Sequence, residues 1–106
     1  MTTQNKALYV RLVAKPGMEE AIESFLREAP SLVNEEPLTL SWFALKLGNG
    51  VYAMFDTFEG ELGRDAHLQG RAAEALMAHA GELLAEPPSI EKVDILAVKA
   101  FVANGT

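Results

Sequence analysis

Two histidines, His67 and His79, are the only side chains here whose ordinary titration falls near neutral pH. An imidazole in that range can take a proton from a hydroxyl or hold a group in place as a donor. His67 lies in the segment Asp65-Ala66-His67-Leu68, just after a stretch rich in aromatic residues. His79 lies at the edge of an apolar helical stripe and reads as a boundary residue. The two fall on different predicted helices. With no cysteine in the chain and no H-E-x-x-H spacing, no metal-ligand set is expected. Glu19, Glu20, Glu23, Glu28, Glu35 and Glu36 form no calcium-loop pattern and read as a solvated face. Trp42, Phe43, Tyr52 and Phe55 can pair across strands and bury large areas, and they can also wall a flat aromatic ligand. Arg11 sits on a strand face, where a charge needs a partner, and a structural pair with Asp56 is expected, in a neighbouring strand or across a dimer.

Composition sets the frame for that chemistry. The chain has 106 residues, enough for one domain, and 49% of them are hydrophobic, which predicts a packed core. The net charge of −6 argues against nucleic acid and against anionic membrane surfaces as partners. No apolar run approaches the roughly 20 residues that cross a bilayer. No signal peptide is visible at the N-terminus, and absence of cysteine removes disulfide and thiolate chemistry. A soluble cytoplasmic protein is the expectation.

The elements that must position these residues follow from periodicity. Lys6 to Ala14 alternates and predicts a strand with Leu8, Val10 and Leu12 on one face. Lys15-Pro16-Gly17 breaks it. Met18, Ala21, Ile22, Phe25, Leu26 and Ala29 then recur at helical spacing, with Pro30 as the stop. Leu38 to Leu47 and Val51 to Phe58 predict two strands joined at Gly48-Asn49-Gly50, a hairpin turn signal. On their faces, Trp42 and Ala44 oppose Ser41, Phe43 and Leu45, and Tyr52, Met54 and Asp56 oppose Val51, Ala53 and Phe55. A short helix is expected over Glu61 to Leu68, weakened by Gly63. A longer helix follows from Arg71 to Ala85, and a last long strand from Ile90 to Phe101. The order β-α-β-β-α-α-β predicts an α+β, ferredoxin-like domain, with a four-stranded antiparallel sheet and helices on one face. The ordered core is expected over residues 6–101. The other sheet face is partly apolar and uncovered, so a second copy is expected to close it, giving a homodimer.

These residues resemble a known family. The order of elements, the start YVRLVAKPGMEEAIESFL, the hairpin LSWFALKLGNGVYAMFDTF and the segment DAHLQGRAAEALM look like the antibiotic biosynthesis monooxygenase (ABM) family of dimeric α/β barrels. The resemblance runs from about Lys6 to Lys99. It implies a homodimer with one pocket per subunit, acting on a phenolic, quinol or polycyclic aromatic compound with no cofactor, neither metal nor flavin. His67 matches the His of the family's His-Leu motif, which implies a role as base or orienting donor. Asp56 stands where an acid ends the third strand, and Phe58 where many members have Trp. Ala72 stands where related oxygenases have a second His. The retained His-Leu favours an oxygenase acting through His67, with Trp42, Phe43, Tyr52 and Phe55 as substrate walls. The missing second His favours the alternative, a non-catalytic small-molecule-binding or stress-associated dimer.

Overall fold

The computed structural model describes residues 4–99. Four strands, β1 (Lys6–Val13), β2 (Thr39–Gly48), β3 (Val51–Phe58) and β4 (Ser89–Asp94), form one sheet in the order β2-β3-β1-β4. Every neighbouring pair is antiparallel. Four helices, α1 (Glu19–Glu28), α2 (Pro30–Val33), α3 (Glu61–Leu68) and α4 (Arg71–Leu83), complete the ferredoxin-like arrangement.

Strand alternation sorts the sheet into two unlike faces. Leu8, Val10 and Leu12 of β1 stand opposite Asp56, Met54 and Tyr52 of β3. They pack with Ile22 and Leu26 of α1 and Leu76 and Leu83 of α4 into one core. Each such side chain contributes about 1.5–3 kcal/mol when fully buried. Helix α1 buries Ile22 and Leu26 and carries Glu19 and Glu20 in its first turn, where the helix dipole favours acids. Ala21, expected on the buried stripe, is exposed. Pro30 ends α1 and opens α2 at a position where its missing N–H costs nothing.

On the opposite face, Tyr9 meets Phe55, and Phe55 meets Phe43. Nothing within the described chain covers it fully: Phe43 is 54% exposed and Leu45 40%.

The β2–β3 turn is made by Gly48, Asn49 and Gly50 at φ 98°, 55° and 76°. Three successive left-handed residues need glycine or asparagine, so the sequence signal and the geometry agree. The last strand is shorter than its composition suggested. β4 ends at Asp94, and 95–99 continue without strand pairing. Phe101, the expected end of that strand, lies outside the described residues. Helix α4 stops at Leu83 rather than Ala85, because Leu84 leaves it to bridge Ala14 and Ala85 donates to the Val13 carbonyl at 2.8 Å.

Candidate functional site

Alternation along β3 places Asp56 on the same face as Tyr52 and Met54, under the helices. It is 1% exposed, and an ionised carboxylate there needs compensation. His67, in the last turn of α3, supplies it: Nε2 donates to Asp56 Oδ2 at 2.9 Å. The second ring nitrogen, Nδ1, donates to Glu36 Oε1 at 2.5 Å. Glu36 belongs to the turn between α2 and β2, and Thr39 Oγ1 donates to the same oxygen at 2.8 Å. His67 is therefore clamped between two carboxylates, and with both ionised its two nitrogens both carry protons.

Burial opposes a charge on His67, but the hydrogen bonds and negative charges of Asp56 and Glu36 outweigh it, and the imidazole is held above its ordinary range. Burial pushes the Asp56 carboxyl up as well, against the lowering effect of His67. One oxygen of each acid, Asp56 Oδ1 and Glu36 Oε2, is buried without a hydrogen-bond partner.

Several local features aim this cluster. Arg64, one turn before His67, is buried. Its Nη1 donates to the backbone carbonyls of Ala7 at 3.4 Å and Val93 at 3.2 Å, which ties α3 to β1 and β4. A Cβ on Gly63 would sit 3.0 Å from the Leu38 carbonyl, so the glycine that weakens α3 lets it approach the chain entering β2. A Cβ on Gly70 would sit 2.8 Å from Glu36 Oε2, so glycine there leaves room for the carboxylate.

Asp56, His67, Trp42, Met54, Leu68 and Leu76 are among the walls of a cavity of about 40 Å³ beneath the sheet. A groove of about 300 Å³ lies on the other side of Trp42, between α1 and β2. There Tyr52 Oη donates to Glu23 Oε2 at 2.6 Å, and Lys46 Nζ lies 2.9 Å from the same oxygen. The Tyr52 hydrogen bond leads in holding Glu23 below the usual carboxylate range. It also leads in pushing the Tyr52 phenol up to about 12.

The structure thus joins His67 with Trp42 and places Tyr52 on the same sheet face, at the groove. Phe43 and Phe55 stand on the opposite face and line neither space. The expected Arg11–Asp56 pair is not made: Arg11 points out from the open face while Asp56 points under the helices, since odd and even strand positions diverge. His79 is exposed, with its ring edge-on to Phe25 at 5.8 Å. Sequence reasoning missed Glu36 and Arg64. Glu36 looked like one more surface acid in a loop, and no local signal sets it apart. Among the described residues, no group of three or more His, Cys, Asp or Glu side chains is placed to hold a metal ion.

No family model and no curated protein sequence matches the chain. Solved structures do. A Nitrosomonas europaea protein of unknown function is 50% identical over 97% of this chain and 100% of its own, with a TM-score of 0.92. A Caulobacter crescentus protein, provisionally named an antibiotic biosynthesis monooxygenase, is 20% identical over 89% of this chain and 92% of its own, at TM-score 0.76. A second Nitrosomonas europaea protein, also provisionally named so, is 15% identical over 87% and 99%, at TM-score 0.77. This chain belongs to the same family as the first Nitrosomonas protein, and it shares its fold with the two proteins provisionally named antibiotic biosynthesis monooxygenases. The fold family carries the architecture and assigns no substrate. Among the described residues, no helix is long and apolar enough to cross a membrane.

Proposed function

We propose that this ABM-like protein is a cofactor-independent monooxygenase for a small phenolic or quinol compound, with Asp56 as the base. The observation that carries this is Asp56 itself, which walls a cavity together with His67 and Trp42 and keeps one buried oxygen without a hydrogen-bond partner. A phenolic O–H is the donor that such an oxygen lacks. Burial makes the carboxylate a stronger base than it is in water. His67, with both nitrogens engaged, acts as the orienting donor: it fixes Asp56 and its positive charge stabilises the phenolate that forms. The phenolate ring then reduces O2. One oxygen atom enters the ring, the other leaves as water, and the phenol becomes a quinone: phenol plus O2 gives quinone plus water.

An oxygen electrode and a panel of phenols and quinols test this. Uptake of one O2 for each quinone formed is expected with the native chain and is abolished by Asp56→Asn. Native protein that consumes no oxygen across the panel would sink the oxygenase.

Two observations favour a second reading, binding without turnover. The cavity of about 40 Å³ holds little more than one water, and both imidazole nitrogens are occupied. In that case ligands bind and oxygen uptake is absent.

We propose further that the open sheet face joins a second copy. Phe43, Leu45 and Leu47 are all at least 40% exposed on β2, and a space of about 460 Å³ separates Phe43 and Phe55 from Ile95 and Val98. Exposed apolar surface of this kind marks an interface. Phe43→Asp should convert a dimer to a monomer by light scattering. A native monomer, or a variant dimer of unchanged mass, would remove the model.

A further inference from the structure

We propose that the groove between α1 and β2 binds an aromatic carboxylic acid, with Arg27 and Lys46 taking the carboxylate and Trp42 walling the ring. That the ring also carries a hydroxyl, directed at Asp56, rests on the oxygenase reading above. The carboxylate site does not.

The groove has the size and the lining of a small-molecule site. Its volume of about 300 Å³ is at the lower end of the range for such pockets. Leu26, Pro30, Trp42 and Ala44 give it apolar walls. Its polar groups converge at one end. Glu23 is the pin: besides Tyr52 and Lys46, it holds Arg27, whose Nη2 lies 3.6 Å from Oε1. Both cations are thereby tethered to one point and yet face water, with side chains 77% and 67% exposed.

Charge then selects the ligand. Two cations and one carboxylate give the groove a formal charge of +1, in a chain whose net charge is −6. The Glu23 contacts use only part of the donor capacity of a guanidinium and an ammonium, so each keeps N–H groups for a second acceptor. A planar carboxylate is the acceptor that matches a guanidinium fork beside a point charge. An organic cation would meet two like charges at the rim, and a neutral ring would leave them unused.

Trp42 links the groove to the buried pair, because it also walls the cavity of Asp56 and His67. An acid anchored at Arg27 and Lys46 places its ring against the indole.

Trp42 is the only tryptophan in the chain, so its fluorescence reports occupancy directly. The native protein is titrated with 4-hydroxybenzoate and with 4-hydroxybenzamide, which has the same ring without the charge. The acid is expected to quench saturably and to bind about tenfold tighter than the amide, the size of one charge-assisted hydrogen bond. The double variant Arg27→Ala, Lys46→Ala should lose that preference, and added salt should weaken it. Lys46→Gln alone gives the same reading in smaller measure if the double variant folds poorly by circular dichroism. Equal affinities, tighter binding of the amide, or acid binding unchanged by either substitution would overturn the proposal. The oxygenase fails separately. Acid binding that depends on Arg27 and Lys46, with no oxygen uptake, removes the oxygenase and keeps the groove. Oxygen uptake with phenols, alongside acid binding indifferent to both cations, does the reverse.

Discussion

Asp56, on β3, and Glu23, on α1, both lie on the helix-covered side of the sheet, and each carboxylate accepts hydrogen bonds from neighbouring side chains, yet their acidities move in opposite directions. Asp56 is 1% exposed and is pushed up by burial, in spite of His67. Glu23, at the rim with Tyr52, Lys46 and Arg27, is drawn down by its hydrogen bonds. The difference teaches that access to water decides the outcome. Where desolvation is large, the carboxylate is suited to hold or take a proton. Where water solvates the charge, the same group stays ionised and serves as an anchor.

Removing His67 should break the comparison most severely. His67→Ala leaves two acids facing each other inside the protein with no cation between them. Losing one partner of a buried ion pair costs about 3–5 kcal/mol, measurable by urea unfolding. A loss no larger than that of a surface variant would show that the clamp is not ionised. Gly70→Ala tests the second carboxylate. Its methyl would collide with Glu36 Oε2, and overpacking of this kind costs about 1–3 kcal/mol. Retention of the native pH dependence in this variant would mean that Glu36 yields without leaving His67.

The pH dependence sharpens the contrast. His67 is raised from 6.5 in the fold, so between 6.5 and its folded value the native state binds more protons than the unfolded chain. Stability from this group is fully present below 6.5 and is lost as pH rises through the folded value. The slope cannot exceed about 1.4 kcal/mol per pH unit for one proton. Melting curves from pH 6 upward should show it in the native chain and not in His67→Ala. At the Glu23 site, Lys46→Ala should barely move the melting midpoint, because exposed pairs contribute little. A shift as large as that of Gly70→Ala would erase the distinction between the two sites.

Much of this architecture was legible before any coordinates. The alternation Leu8-Val10-Leu12, the spacing of Ile22 and Leu26, and the Gly-Asn-Gly turn each state a local geometric need, so they named their elements and faces. The same alternation put Asp56 with Tyr52 and Met54. An acid on that apolar face needs a buried partner, and Arg11, the partner expected from sequence, stands on the opposite face. The resemblance pointed to His67, and the structure gives it a partner on each nitrogen. Aromatic character groups Phe43 and Phe55 with Trp42 in sequence, whereas the side of the sheet that a cavity occupies is not visible there. The apolar run of β4 continues past Asp94 and predicts a longer strand than forms, since pairing with β1 ends there.

The sequence by itself determined the strands, the helices, their order and the two faces of the sheet, because these follow from periods of two and 3.6 residues and from residues that break them. Only the tertiary structure decided the clamp. Glu36 stands 31 positions from His67 and meets it from a turn, while His67 reaches Asp56 from a helix end. Which distant side chains meet is settled by how the elements pack, and no local period carries that information.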